Sequence, residues 1–197
     1  MIAIAAVAGY ALGSLPTAGA LGRLWGVNLR ESGSGNPGAN NALRLGGPVL
    51  AAIVLSVEIV KGLTAVIVGV GLAGEPGAVG AGISAVIGNV YNLWYRFDGG
   101  KGLGISAGVM AGLWPLALAP VAAVLWVLAR LTGSSGTAAI AAMVLLNCAA
   151  FAWWLAEWPT GWGMRSGPLL VIATLGIGAT IFPKHRAEAH LKRLFPR

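Results

Sequence analysis

Charge is scarce in this chain. Only 10% of its 197 residues are charged while 57% are hydrophobic, and the mean hydropathy is +0.80. Soluble domains carry about a quarter charged residues, and so apolar a chain has too little polar surface to cover a globule in water. An ordinary soluble fold is excluded, and lipid is the expected solvent. Cysteine is nearly absent: Cys148 stands alone in an apolar run, so an intrachain disulfide is excluded and the residue reads as a small buried hydrophobe. The two histidines, His185 and His190, are too few for a metal centre, and neither metal nor cofactor is expected. No basic residue precedes Arg23, so Met1–Gly22 lacks the charged leader of a secretory signal and reads as a retained helix. The formal charge of +7 has no soluble basic module to carry it, which argues against nucleic acid and for anionic lipid headgroups or an anionic substrate.

Long apolar runs are plentiful. They cover Met1–Gly22, Gly46–Gly74, Pro76–Tyr95, Gly102–Ala129, Thr137–Glu157 and Arg165–Pro183. Roughly 20 apolar residues cross the hydrocarbon core as a helix, and continuous runs rich in Ala, Leu and Val exclude the alternation of a membrane barrel. Most Lys and Arg lie in Arg23–Leu45, Arg96–Lys101 and Lys184–Arg197, with Arg130; the segments near Glu75 and Glu157–Arg165 carry almost none. The positive-inside rule places the basic group in the cytoplasm. With the N-terminus outside, a single span at Gly102–Ala129 would put the basic tail on the wrong side. Pro115 and Pro120 interrupt that run, and two short helices that enter and return restore the parity. The expectation is therefore an all-α polytopic membrane protein of one domain, 1–197. It has seven helical segments including the broken pair, N-terminus outside and C-terminus cytoplasmic; six spans are the fallback. Trp153, Trp154, Trp158 and Trp162 read as an external aromatic belt.

Two loops carry the chemistry. The first is Gly33-Ser34-Gly35-Asn36-Pro37-Gly38-Ala39-Asn40-Asn41 with Arg44. Glycines at Gly35 and Gly38 let successive N–H groups converge on an anion. Ser34, Asn36 and Asn41 add side-chain donors, and Arg44 a planar fork suited to phosphate. If Asn41 opens the next helix, its N-terminus adds favourable partial charge. A flexible Gly-Asn-Pro turn would look the same by spacing alone. The second loop is Phe97-Asp98-Gly99-Gly100-Lys101-Gly102, where Lys101 reaches a phosphate beside the backbone of Gly99, Gly100 and Gly102, or else is a plain interfacial anchor. It lacks the Walker A spacing. Two glycine-rich basic loops on one membrane face suggest one anionic site between them. Glu58 and Lys61 stand at i and i+3, so they share one helical face and are expected to pair. The tail from Lys184-His185-Arg186 through Lys192-Arg193-Leu194 reads as a basic amphipathic helix, with His185 and Arg186 either meeting headgroups or capping the anionic pocket.

In these features the chain resembles the bacterial membrane acyltransferases that move an acyl chain from acyl phosphate to glycerol 3-phosphate. The matching residues run nearly end to end: Gly13-Ser14-Leu15-Pro16, the Gly33–Asn41 loop with Arg44, Glu58-Ile59-Val60-Lys61-Gly62, Phe97 through Gly102, and the His185-Arg186 and Lys192-Arg193-Leu194 tail. Departures from the usual pattern fall at Asn40, at Glu58 where Asp is usual, in the tail, and at Gly88-Asn89-Val90-Tyr91-Asn92 where Gly-His-x-x-Pro is usual. The resemblance implies acyl transfer to the 1-hydroxyl of glycerol 3-phosphate, giving lysophosphatidic acid and phosphate for phospholipid synthesis. It implies a monomer in the cytoplasmic membrane with its active site facing the cytoplasm. It assigns Ser34, Arg44, Lys101 and His185 to catalysis, and Ser14, Gly35, Asn36, Gly38, Asn41, Gly99, Gly100, Gly102 and Arg186 to substrate binding.

Acyl phosphate is a mixed anhydride with a good leaving group, so no protein nucleophile is required, and no Gly-x-Ser-x-Gly elbow or Cys-His pair is present. Two rival readings differ in kind. A small anion transporter would use similar loops and broken helices but should show pseudo-symmetric halves, and the sequence shows none. A non-catalytic or altered-substrate relative would keep the phosphate loops and bind phosphate-bearing lipids; Asn89, Asn92 and the altered tail are what favour it.

Overall fold

The computed structural model describes residues 1–194, with side chains as far as His190. Every regular element among them is helical. The order is α1 (Ile2–Ser14), α2 (Thr17–Leu24), α3 (Ala39–Val90), a 3-10 turn (Leu93–Tyr95), α4 (Leu103–Leu113), a 3-10 turn (Pro115–Ala117), α5 (Leu118–Thr132), α6 (Ser135–Leu155) and α7 (Pro168–Leu194). Prolines set several of these limits. Pro16 has no N–H to donate and pushes Leu15 out of the helical region (φ −55°, ψ 124°), which separates α1 from α2. Pro115 does the same to Trp114 (φ −151°, ψ 74°), whereas Pro120 lies in the first turn of α5, where the missing N–H is no loss.

The expected seven transmembrane segments are not what the chain forms. Five stretches among the described residues are long and apolar enough to cross a bilayer: Ile2–Leu24, Ala39–Tyr95, Pro115–Thr132, Ser135–Leu155 and Pro168–His190. Leu103–Leu113 is apolar but too short for a span. Among the described residues the fold is thus all-α and multi-pass with five to six membrane helices, one of them bent into a pair. Two physical causes account for the difference. Gly46–Gly74 and Pro76–Tyr95, separate runs in the sequence, belong to the single element α3, which bends at Ala73 and Gly74 (φ 61°). The Gly102–Ala129 run, expected to give two half-helices, gives one short helix and one of spanning length. The parity argument for the termini falls with the count.

Two compact units divide the chain, Met1–Val109 and Met110–Arg197. In the first, α1 lies against the second arm of α3 with backbone touching backbone. A Cβ added at Gly9 would stand 2.1 Å from the Ala81 carbonyl oxygen, and one at Gly13 1.9 Å from that of Ala85. Small residues permit the close approach that helix association in lipid relies on. The start of α4 crosses α3 in the same way, Gly62 against Ile105 and Gly108 against Ile59.

In the second unit, α6 opens on a Ser134 cap whose Oγ accepts from the Thr137 N–H at 3.2 Å. Gly136 lets this end of α6 press on α7 at the His185 carbonyl, and Ser135 Oγ donates to Glu188 Oε1 at 2.6 Å. Trp153 meets Trp114 in a tilted contact and Trp158 edge-on, with ring centroids 5.3 and 4.8 Å away. None of the residues of α5 is buried. Cys148, expected to be buried, is exposed on α6, on an apolar surface that lipid would cover.

Candidate functional site

The first loop is built around Asn41. Its side chain is 1% exposed, and Oδ1 accepts the Ser34 N–H at 2.9 Å while Nδ2 donates to the carbonyls of Leu29 (2.8 Å) and Ser32 (3.0 Å). Both amide protons are therefore engaged, and Asn41 shapes the loop from inside. The Gly35 and Gly38 N–H groups also turn inward, to the carbonyls of Ser32 (3.1 Å) and Asn36 (2.8 Å). The glycines serve the tight turn, with Gly33 and Gly35 both at positive φ. What remains to face a ligand is the N-terminus of α3, whose Gly38 cap has no side-chain hydrogen bond, with exposed Ser34 beside it and exposed Arg44 on the second turn. Leu29 seats the loop in an apolar cluster with Ala18, Ala42, Leu50 and Val54.

The second loop closes the other end of α3. The Gly99 N–H donates to the Val90 carbonyl at 2.9 Å and the Gly100 N–H to the Asn89 carbonyl at 3.0 Å, filling acceptors that a helix C-terminus leaves open. Gly99 packs so closely that a Cβ would fall 2.1 Å from the Asn89 carbonyl oxygen. These two glycines thus hold the loop in place, and their N–H groups are occupied. Lys101, half-buried, and Gly102 (φ 82°) follow directly and lead into the N-terminus of α4.

Between the loops lies a buried polar network. Glu58 and Lys61 form the expected pair at 3.0 Å, with side chains only 10% and 6% exposed. Lys61 Nζ also donates to the Leu15 carbonyl at 3.0 Å and to Thr17 Oγ1 at 3.4 Å. Thr17 Oγ1 donates to Glu58 Oε1 at 3.1 Å, and Asn89 Nδ2 donates to Glu58 Oε2. The carboxylate is paired at both oxygens, as a buried charge requires. Beside it, Asn92 Nδ2 donates to the Ser14 carbonyl at 2.8 Å, and Ser14 Oγ donates to the Gly88 carbonyl at 3.2 Å.

The two loops meet over this network. Arg30 of the first loop donates to the Asp98 carbonyl at 2.6 Å, lies 3.8 Å from the Asp98 carboxylate and stacks 4.4 Å from the Tyr95 ring centroid. Tyr95 in turn donates to the Pro16 carbonyl at 3.4 Å. A cleft of about 200 Å³, counting its open mouth, is lined by Pro16, Thr17, Pro37, Glu58, Asn89 and Gly100 among others. Of the residues expected at the site, only Gly100 lines this cleft; Ser34 and Asn36 share the first loop with Pro37, Gly99, Lys101 and Gly102 share the second with Gly100, and Arg44 stands on α3. His185, fully buried, and Arg186, exposed, stand on α7 in the second unit. The side chains of Lys192, Arg193 and Leu194 lie outside the described residues. Thr17, Arg30 and Tyr95 carry no motif that would mark them in the sequence, and Asn89 and Asn92 stand out there only as departures from a pattern.

The family model described as glycerol-3-phosphate acyltransferase matches residues 3–195. The chain belongs to the glycerol-3-phosphate acyltransferase family. A glycerol-3-phosphate acyltransferase of Bradyrhizobium diazoefficiens is 38% identical over 195 residues, 97% of this chain and 90% of that one. One from Rhodopseudomonas palustris is 41% identical over 154 residues, 76% of each. Among solved structures, the glycerol 3-phosphate form of PlsY (YgiH), an integral membrane glycerol 3-phosphate acyltransferase, superposes with a TM-score of 0.80. It is 25% identical, and the match covers 98% of this chain and 91% of PlsY. The reaction of the family, acyl transfer from acyl phosphate to glycerol 3-phosphate, is the reaction this membrane enzyme catalyses.

Proposed function

We propose that the cleft between the two loops is where the phosphate-bearing substrates meet. The N-terminus of α3, with Ser34, Asn36 and Arg44, receives one phosphate; Lys101, at Gly102 and the start of α4, receives the other. Asn41, Gly35 and Gly38 shape the first subsite, and Gly99 and Gly100 hold the second. The 1-hydroxyl of glycerol 3-phosphate attacks the acyl-phosphate carbonyl, the acyl–phosphate C–O bond breaks, and the products are lysophosphatidic acid and inorganic phosphate. The hydroxyl proton leaves with the phosphate. Positioning two anions and stabilising the charge that develops on the carbonyl and leaving oxygens supply the rate enhancement. Ser14 is held within the helix packing, so its role is to fix the α1 end of the site.

The observation that carries this reading is that Arg30 ties the first loop to Asp98 of the second, while Pro37 and Gly100 line the same cleft. Both loops belong to the basic segments Arg23–Leu45 and Arg96–Lys101, which supports a site on the cytoplasmic face of the cell membrane. The test is phosphate release by the purified protein from palmitoyl phosphate, with and without glycerol 3-phosphate. Release that needs both substrates, and that falls sharply in Lys101→Ala with a raised KM for one of them, is the expected result. Unchanged turnover in Lys101→Ala refutes the assignment.

A further inference from the structure

The geometry points to Asn89 as a positioning residue that sets the Gly-Gly-Lys-Gly loop through a buried link to Glu58, an inference that rests on Lys101 holding a phosphate. Asn89 touches this loop and the ion pair at once. Its carbonyl accepts the Gly100 N–H at 3.0 Å, and its side-chain Oδ1 lies where a Cβ on Gly100 would be only 3.1 Å away. Its Nδ2 donates to Glu58 Oε2. Closing the end of α3 needs only the backbone carbonyl, which any residue supplies. The side chain does something else: it runs from the loop to a carboxylate whose other oxygen is fixed by Lys61 and Thr17.

The link therefore has a rigid far end. Lys61 Nζ holds Glu58 Oε1, Thr17 Oγ1 and the Leu15 carbonyl, so the carboxylate is braced against the break between α1 and α2. Asn89 carries that rigidity to Gly100, the residue immediately before Lys101. Glu58, Asn89 and Gly100 all line the cleft, so a shift in Asn89 is felt where a ligand sits. Without the amide, the outward oxygen of Glu58 loses its donor and the loop loses its lateral support, while the backbone bonds to α3 remain.

The test is a double-substitution cycle on the full chain in lipid nanodiscs, reading kcat, both KM values and thermal stability. Lys101→Ala should raise the KM of one substrate. Asn89→Ala should raise the same KM by about tenfold and leave the other unchanged, a modest loss for a misplaced contact. In the double variant the Asn89 effect should disappear, because there is no lysine left to place. Asn89→Asp, which keeps the shape but sets a second carboxylate against Glu58, should reproduce the split if Asn89→Ala folds poorly. Lower stability with both KM values unchanged, or effects that simply multiply with Lys101→Ala, would overturn the positioning role. A Lys101→Ala variant with both KM values unchanged would refute the phosphate assignment and the role of Asn89 together. An effective Lys101→Ala with a silent Asn89→Ala and Asn89→Asp would refute the positioning role alone.

Discussion

Replacing Lys61 by methionine removes the positive member of the buried pair and keeps a side chain of similar reach. At 3.0 Å, the Glu58–Lys61 attraction is about 5.5 kcal/mol gross at an effective dielectric near 20. The cost of withdrawing both charges from water offsets much of that, so the intact pair contributes little net stability. Losing one partner is different. Glu58 would remain at 10% side-chain exposure with a charge and only Thr17 and Asn89 to satisfy it, and such an orphan typically costs about 3–5 kcal/mol. For a chain of this length that is a fall of roughly 10 °C in Tm. The double variant Glu58→Gln/Lys61→Met removes both charges and retains an acceptor for Asn89, so most of the loss should return. Thermal unfolding of the parent and the two variants in one detergent, followed by intrinsic tryptophan fluorescence, makes the comparison. A double variant as unstable as Lys61→Met, or a Lys61→Met indistinguishable from the parent, would refute the view that charge imbalance dominates.

Gly99→Ala places a methyl 2.1 Å from the Asn89 carbonyl oxygen, so the loop must move off the end of α3. A displacement of that order should lower kcat/KM by about 100-fold, measured as phosphate release at limiting substrate. Arg30→Ala removes the bond to the Asp98 carbonyl and the stack on Tyr95. It should raise KM for a substrate while leaving Tm nearly unchanged, because the loop surface is exposed. Arg30→Lys should fail to restore the KM, since an ammonium cannot stack and bond in the planar geometry of guanidinium.

How much of this was legible in the sequence depends on how far apart the interacting residues are. The Glu58–Lys61 pair could be read because i and i+3 share a helical face whatever surrounds them. The break at Pro115 and the two glycine-rich loops could be read because proline and glycine act on their own backbone. The bend of α3 could not be counted reliably, since Ala73 and Gly74 interrupt the dihedrals without ending the helical element. The purpose of the loop glycines was also hidden. Their spacing suggested donors for an anion, but the N–H groups of Gly99 and Gly100 reach carbonyls on a helix that ends several residues earlier. Asn89 and Glu58 stood out singly, as departures from the family pattern. Only the fold shows that the two departures touch, Asn89 Nδ2 donating to Glu58 Oε2.

The placement of Glu58 and Lys61 on one helix also bears on how the chain enters the bilayer. An ionised side chain near the middle of an inserting helix costs roughly 2.5–3.5 kcal/mol. Partners on different helices would each meet that cost before finding one another. Here the partners are three residues apart, so the bond can form inside the single helix as it leaves the translocation channel. Lipid then meets a nearly neutral dipole in place of two separate ions. Thr17, Leu15 and Asn89 add their contacts later, when the helices gather, and the charged centre of the site arrives already assembled.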